Sequence, residues 1–333
     1  MLSIDFDKLF SQFSSIRVGV IGDIMLDTYW WGHVERISPE APVPVVSLDK
    51  KEYRIGGAGN VALNLVSLGA SVTAFSVIGD DDNGVVLKDL LEKNNIHAGY
   101  LLNSAARITT NKARIISRNQ QMMRLDSETT MDLSAEDENK IIQSVKNYME
   151  AEKPHIIIFE DYNKGVLTEK VIAAVINLCK ENNVFTAVDP KRKNFFSYKE
   201  VDIFKPNLVE VRDGLNLLIE KINLGTLQHI HIALSKKLHH QISFITLSEK
   251  GVFYQYKDQA KIISSHLRYI ADVSGAGDTV IAVAALIYAI TKDVALMAEI
   301  ANLAGGLVCE EVGTVAINKD RLLKECKLLL YRE

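Results

Sequence analysis

Short apolar runs ending in glycine or an acid alternate along this chain with longer amphipathic segments, and this alternation restricts the fold more than any other feature. Arg17–Gly22 (RVGVIG), Ser71–Gly79 (SVTAFSVIG), His155–Asp161 (HIIIFED), Val184–Pro190 (VFTAVDP), Asp202–Asn207 (DIFKPN) and Ile242–Ser248 (ISFITLS) read as strands. Between them lie helical patterns over Gly56–Ala70, Asp82–Asn95, Thr168–Glu181 and Leu208–Glu220, followed by a closing set of helices. Val61, Leu65 and Leu68 share one face of the first of these. Repeated β–α–β order predicts a doubly wound α/β fold, a mostly parallel sheet with helices on both faces.

Two stretches break the rhythm. Val34–Ile55 holds Pro39, Pro42 and Pro44, half of the chain's 6 prolines, and alternates apolar and polar residues around them. Thr109–Glu128 alternates in the same way. Neither fits a crossover helix. Together they predict a small antiparallel β-sheet lid, inserted at about residues 33–55 and 107–126 of a single domain spanning 1–333. Its exposed edges invite a homodimer through the lid.

Composition excludes several classes. With 47% hydrophobic and 24% charged residues, the chain is neither disordered nor collagen-like. A formal net charge of -4 gives no basic field for nucleic acid. Cys179, Cys309 and Cys326 are scattered with no CxxC pair, which predicts reduced thiols. The start, MLSIDFDKLF, carries acids where a secretory signal is basic. The longest uncharged apolar helical run, Val280–Ile290, falls short of the ~20 residues of a membrane span and reads as a core helix. The expectation is a cytoplasmic protein with no nucleic-acid or membrane partner.

Five motifs carry chemistry. Gly57–Ala62 matches GxGxxA, but charged KKEYRI precedes it where a dinucleotide site needs a buried strand. The turn instead lets backbone at Gly57 and the Asn60 amide approach a small polar ligand. Asp23 and Asp27 follow the first strand; two carboxylates there suit sugar hydroxyls better than phosphate, with a helix N-cap as the plain alternative. Asp272–Thr279 (DVSGAGDT) leads into the apolar helix. Small residues at that start leave amides free as an anion hole, with Asp278 beside them to take a hydroxyl proton; a capped helix behind a tight turn is the alternative. Lys205–Glu210 (KPNLVE) puts Asn207 and Glu210 at a helix mouth, where they organise hydrated Mg²⁺ or merely form a capping box. Thr246–Gly251 is a strand leading to a glycine turn suited to nucleotide, or a simple hairpin. His229, His231, His239 and His240 have metal-like spacing and read as ordinary surface histidines. No P-loop, protein-kinase, zinc-protease or G-x-S-x-G pattern occurs.

In order, GD-x-x-x-D at Gly22–Asp27, GGAGN at Gly56–Asn60, DP at Asp189–Pro190, N-x-x-E at Asn207–Glu210 and GAGD at Gly275–Asp278 resemble the ribokinase (PfkB) type of carbohydrate kinase over residues 17 to 315. GDIMLDTYWWG, RISPEAPVPV, SRNQQMMRLD and DYNKG are similar to the bacterial D-glycero-β-D-manno-heptose-7-phosphate kinases within it. The absence of H-x-G-H makes the chain look like a stand-alone kinase without a cytidylyltransferase domain. Gly59, Ser248 and Glu160 depart from common family residues.

The resemblance implies a ribokinase-like fold and ATP-dependent phosphorylation of the anomeric O1 of the heptose 7-phosphate, a step toward ADP-heptose and the lipopolysaccharide inner core. It implies Asp278 as base with Gly275, Ala276 and Gly277 as anion hole. It implies ATP contacts from Asn207, Glu210, Thr246, Ser248, Gly251 and Asn302, Mg²⁺ held through water by Asn207 and Glu210, and potassium near Asp272 and Gly313. Sugar contacts are expected from Asp23, Asp27, Gly57, Asn60, Asp161, Lys164 and Lys191, with Arg118, Asn119 and Gln120 reaching in from the lid and Arg124 as a further cation. Competing readings are a kinase for another sugar, sugar phosphate or nucleoside, an NAD-binding oxidoreductase, and an inactive sugar-binding regulator.

Overall fold

The computed structural model describes residues 4–330 apart from Asn119 and Leu267. The strands are β1 (Arg17–Gly22), β2 (Ile24–Ile37), β3 (Pro44–Gly57), β4 (Ser71–Gly79), β5 (Ile96–Ser104), β6 (Asn111–Ser117), β7 (Gln120–Ser127), β8 (Ile156–Glu160), β9 (Phe185–Asp189), β10 (Ile203–Phe204), β11 (Ile242–Thr246), β12 (Val252–Tyr256) and β13 (Gln259–Ile263). The helices are α1 (Phe6–Ser11), α2 (Ala58–Leu68), α3 (Asp82–Lys93), α4 (Ala135–Glu152), α5 (Glu169–Glu181), α6 (Leu208–Leu215), α7 (Leu224–Leu238), α8 (Ala276–Thr291), α9 (Val294–Val308) and α10 (Lys319–Leu329).

Nine strands form the main sheet in the order β13-β12-β11-β10-β9-β8-β1-β4-β5. From β5 to β11 they run parallel, and β12 and β13 add an antiparallel edge. Alternate residues of a buried strand serve opposite faces. Val18, Val20, Ile156 and Ile158 join the core under α1, α2, α3, α8, α9 and α10. Ile21, Ile157 and Phe159 join the core under α4, α5, α6 and α7. Val280–Ile290 lies inside α8, largely buried, as its composition predicts. The chain winds outward from β1 through β4 to β5, then returns to place β8 on the other side of β1. The switch point of the sheet therefore lies between β1 and β8, where such folds bind ligands beyond the carboxyl ends of the strands.

The lid is a four-stranded sheet in the order β3-β2-β6-β7. It corrects the expectation of a purely antiparallel insert. β2–β3 and β6–β7 are antiparallel hairpins, but β2 and β6 pair in parallel, because both strands leave the body in the same direction. The lid also begins at Ile24, earlier than residue 33, since Asp23 alone separates β1 from β2. The helix expected to reach Glu220 ends at Leu215, where Asn216 takes the left-handed conformation (φ 51°) that closes a helix. His240 is buried rather than superficial: His231 Nδ1 and His240 Nε2 lie 2.8 and 2.6 Å from the Ser243 hydroxyl, while His229 is exposed. All three cysteines are free thiols. No helix among the described residues is long and apolar enough to cross a membrane.

Candidate active site

The ends of β1, β3, β8, β9 and β10 and the starts of α2 and α8 meet at the switch point. β1 passes through Asp23, whose backbone N–H donates to the Glu160 carbonyl at the end of β8 (3.2 Å). The Asp23 carboxylate reaches into the loop after β8. It accepts from the backbone N–H groups of Tyr162 (2.9 Å), Lys164 (3.0 Å) and Val166 (3.1 Å). Arg107 fastens the same loop by donating to the Met131 and Lys164 carbonyls. The expected sugar ligand Asp23 thus serves first as a backbone anchor. Asp161 is also committed, accepting from Asn163 N and the Tyr198 hydroxyl (2.8 Å each). Burial, helped by the Asp23 charge, pushes the Asp161 carboxyl up to about 6.

β3 returns from the lid to Gly57, which adopts φ 60° and ψ -137°. Only glycine suits this point, because a Cβ would run into the Asp23 carbonyl oxygen. The turn starts α2 and carries Asn60 inward. Asn60 Nδ2 donates to Asp278 Oδ2 at 2.7 Å, and the Tyr162 hydroxyl donates to Asp278 Oδ1 at 2.8 Å. Asp278 is in the first turn of α8, 7% exposed. Gly275 caps that helix with φ 78° and without a side-chain cap. The first intrahelical bond runs from Thr279 N to the Gly275 carbonyl, so the amides of Gly277 and Asp278 precede the ladder and are free to bind an anion, aided by the helix dipole, whereas the Ala276 amide, also expected in the anion hole, donates to the Val273 carbonyl (3.3 Å). Burial pushes the Asp278 carboxyl above its ordinary value. Burial and the Asp278 charge push the Tyr162 phenol up as well, so it remains a donor.

Beside Asp278 stand Glu160 and Asp189, the last residues of β8 and β9; one oxygen from each of the three carboxylates lies within 4.8 Å of the others. Lys205 Nζ contacts Asp189 Oδ2 at 2.7 Å, and Lys191 Nζ is 3.5 Å from Asp189 Oδ1 and 2.5 Å from Glu210 Oε1. Burial raises Asp189, but the two ammonium groups outweigh it and hold the carboxyl below its usual range. Glu160 has neither oxygen hydrogen-bonded, and burial followed by the Asp189 and Asp278 charges pushes it well up.

Asn207 and Glu210 form a reciprocal capping box on α6: Glu210 N donates to Asn207 Oδ1 (2.9 Å) and Asn207 N to Glu210 Oε2 (2.8 Å). Asn207 bridges to Thr246 across the strand ends. Ser248 and Gly251 form the tight turn between β11 and β12, with φ 57° and 93°. Asn302 spends its amide on the Ser264 carbonyl (2.9 Å). Asp272 accepts from Gly313 N (2.9 Å) and Ser274 N (3.0 Å), which brings the two residues named for potassium together.

Other expected residues have partners of their own or lie on the lid, and the Asp27 carboxylate borders Gly56, one residue before the Gly57 turn. Asp27 lies within β2, paired with Arg114 (2.5 Å), and Lys164 pairs with Glu128 (2.7 Å). Arg118 and Gln120 are exposed at the β6–β7 turn, next to Ser117, which pairs with Gly32 of β2. Arg124 is tied to Asp126 on the exposed strand β7 (2.8 Å). Asn119 lies outside the described residues. Sequence reading assigned no role to Tyr162, Asp189, Lys205, Arg107 or Arg114, though the first three stand in motifs it singled out. Two surface hollows of about 550 and 710 Å³ lie elsewhere, beside α5–α6 and under the amino ends of β9–β11, and neither contains this constellation.

A buried carboxylate next to a free helix start, at the switch point of a doubly wound sheet with a β lid, suits a phosphotransferase acting on an alcohol. Residues 15–321 match the family described as "pfkB family carbohydrate kinase". The chain belongs to that family and is a carbohydrate kinase of ribokinase-like fold. It is 35% identical over 305 residues to "Bifunctional protein HldE" of Campylobacter curvus and 39% identical over 305 residues to the protein of that name from Aliarcobacter butzleri. In both cases 91% of this chain is covered, and the chain spans only 63% of the relative's length. Among solved structures, phosphofructokinase-2 from Escherichia coli in complex with potassium superposes with a TM-score of 0.79 at 18% identity, over 95% of this chain and 100% of that one. Arabidopsis thaliana ribokinase complexed with ribose and ATP gives 0.69 at 17%, over 93% and 99%.

Proposed function

We propose that the chain transfers the γ-phosphoryl group of ATP to the anomeric O1 of D-glycero-β-D-manno-heptose 7-phosphate, giving the 1,7-bisphosphate. The observation that carries the transfer is Asp278, poised by Asn60 and Tyr162 one residue beyond the free Gly277 amide. The choice of sugar rests on the strings shared with heptose-7-phosphate kinases and on the relatives named HldE.

Asp278 takes the hydroxyl proton as the sugar oxygen bonds to the γ-phosphorus. The bond from that phosphorus to the bridging oxygen breaks, and its electron pair leaves with ADP. The Gly277 and Asp278 amides receive the charge on the transferring oxygens. The Thr246–Gly251 turn and the capping box flank the nucleotide side. Both Glu210 oxygens are already engaged, one with Lys191 and one with the cap, which suits an ion held through water rather than by direct ligation. Magnesium held so by Asn207 and Glu210 would neutralise phosphate charge. Potassium beside Asp272 and Gly313 is part of the same proposal, and exchange of sodium for potassium in the assay tests it.

A homodimer through the lid completes the reading. Strand β7 is exposed along its whole length, and Met122, Met123 and Leu125 on it join Ile37, Val43 and Leu48 as exposed apolar side chains of the lid.

The deciding assay is ADP release across heptose 7-phosphate, fructose 6-phosphate, ribose and adenosine. Heptose 7-phosphate is expected to give a kcat/KM at least ~10-fold above the others; preference for any other acceptor replaces the sugar assignment while keeping the transfer. Arg118→Ala is expected to weaken heptose 7-phosphate by about 10–100-fold, the worth of a charge-assisted hydrogen bond, and unphosphorylated heptose far less. Equal losses on both remove Arg118 from the phosphate site.

A further inference from the structure

Deepening the kinase reading, and resting on it, we propose that Glu160 is a positioning residue for the base: it keeps its own proton throughout the transfer, and this leaves Asp278 as the ionised carboxylate beside it.

Glu160 ends β8, the strand next to β1 at the switch point. Its side chain is fully buried, and no hydrogen-bond donor reaches either carboxyl oxygen. One of those oxygens lies within 4.8 Å of an Asp189 oxygen and an Asp278 oxygen. A buried acid at the centre of a site, without a partner, is costly to keep and calls for a task.

Partners are shared unequally among the three acids. Lys205 Nζ contacts Asp189 Oδ2 at 2.7 Å, and Lys191 Nζ lies 3.5 Å from Asp189 Oδ1. Asp278 accepts from the Asn60 amide and the Tyr162 hydroxyl. Glu160 accepts from nothing. Carboxylates this close and this deeply buried do not all carry charge, and the proton settles where the anion is worst supported. Burial first, then the Asp189 and Asp278 charges, push the Glu160 carboxyl well up against the pull of Lys205 and Lys191. Burial raises Asp278 too, but its two donors oppose the rise. The phenols of Tyr162 and Tyr198 also feel the Glu160 charge; burial pushes both up, so they stay neutral. Asp23 and Asp161, after β1 and β8, are spent on loop amides and the Tyr198 hydroxyl.

A neutral Glu160 adds no charge against phosphoryl oxygens arriving beside Asp278. Ionised, it would set a second, unsupported anion there and repel them. Loss of the Glu160 proton therefore closes the site from the alkaline side, as protonation of Asp278 closes it from the acidic side. Glu160 neither gives nor takes a proton in the cycle; the hydroxyl proton goes to Asp278 alone.

Glu160→Gln and Glu160→Leu, two neutral replacements, test this in the whole chain. Both are expected to keep kcat at pH 7 within about threefold of the parent and to retain the acidic limb of the pH profile. The alkaline decline of the parent is expected to vanish in both. Urea unfolding gives a reading that needs no activity. An acid protonated in the native state and ionised on unfolding makes the native state less stable as pH rises above the ordinary carboxylate range. Relative to Glu160→Gln, the unfolding constant of the parent is expected to rise up to ~10-fold per pH unit above about pH 5, until Glu160 itself ionises. A loss of more than about threefold in kcat at pH 7 in both variants overturns the proposal, because the working form would then carry the charge. An alkaline limb that survives both replacements, or a ratio of unfolding constants that stays level with pH, overturns it as well. If Glu160→Gln fails to fold, Glu160→Leu decides on the same readings. If the parent phosphorylates no sugar, the kinase reading fails by itself, and the unfolding constants alone judge whether Glu160 holds its proton.

Discussion

Asp278→Asn is expected to lower kcat by ~10²–10⁴-fold while KM for either substrate changes little. Asparagine has nearly the shape of aspartate and retains an oxygen to accept from Tyr162 or Asn60, so the first turn of α8 and its amides remain in place. What is lost is the ability to take a proton. The pH profile gives an independent reading. A base works only when ionised, so kcat falls as pH drops through its pKa. Burial moves the Asp278 carboxyl upward, and the acidic limb is expected above the ordinary carboxylate range. That limb should disappear in the asparagine variant. Turnover near the parent's level, or a limb that survives the substitution, would assign the base elsewhere.

Asp23→Ala is expected to be nearly as damaging by a different route. The Asp23 carboxylate satisfies three backbone amides of the 162–166 loop, at Tyr162, Lys164 and Val166. Each buried amide left without an acceptor costs ~1–3 kcal/mol, which sums to on the order of 3–6 kcal/mol even with some relaxation. That is a large part of the ~5–15 kcal/mol that keeps a domain folded. The same loop delivers the Tyr162 hydroxyl to Asp278, so activity should fall along with the urea midpoint. Asp23→Asn should be milder, because one oxygen still accepts. A variant lacking the carboxylate that matches the parent in both urea midpoint and turnover would show that the loop holds itself.

Local motifs were readable because each needs only neighbours in sequence. GAGD requires glycine at position 275 for a left-handed cap, N-x-x-E closes a capping box within one turn, and GGAGN needs the φ 60° turn at Gly57. β–α–β order likewise implied the sheet and its two helical layers. What stayed hidden depends on partners far apart in the chain. The acceptor role of Asp23 involves amides about 140 residues on. Lys205, Asp189 and Glu160 come from three strands and become one cluster only when those strands lie side by side. That Arg118 and Gln120 stand at the turn of the β6–β7 hairpin follows from strand register, which a local motif does not carry. The lid's mixed pairing was missed for the same reason: strand direction belongs to the whole molecule.

β2 and β3 have a consequence for motion. They pair from the body, at Ile24 and Gly57, to the outer end at Ile37 and Pro44, with register shifts at Trp31/Gly32 and Val34/Arg36. One root joins the Asp23 anchor; the other is the turn that launches α2 and aims Asn60 at Asp278. The hairpin is therefore a lever rooted beside the Asp278 carboxylate. A tilt of its far end would be carried through the Gly57 turn to Asn60 and its hydrogen bond to Asp278.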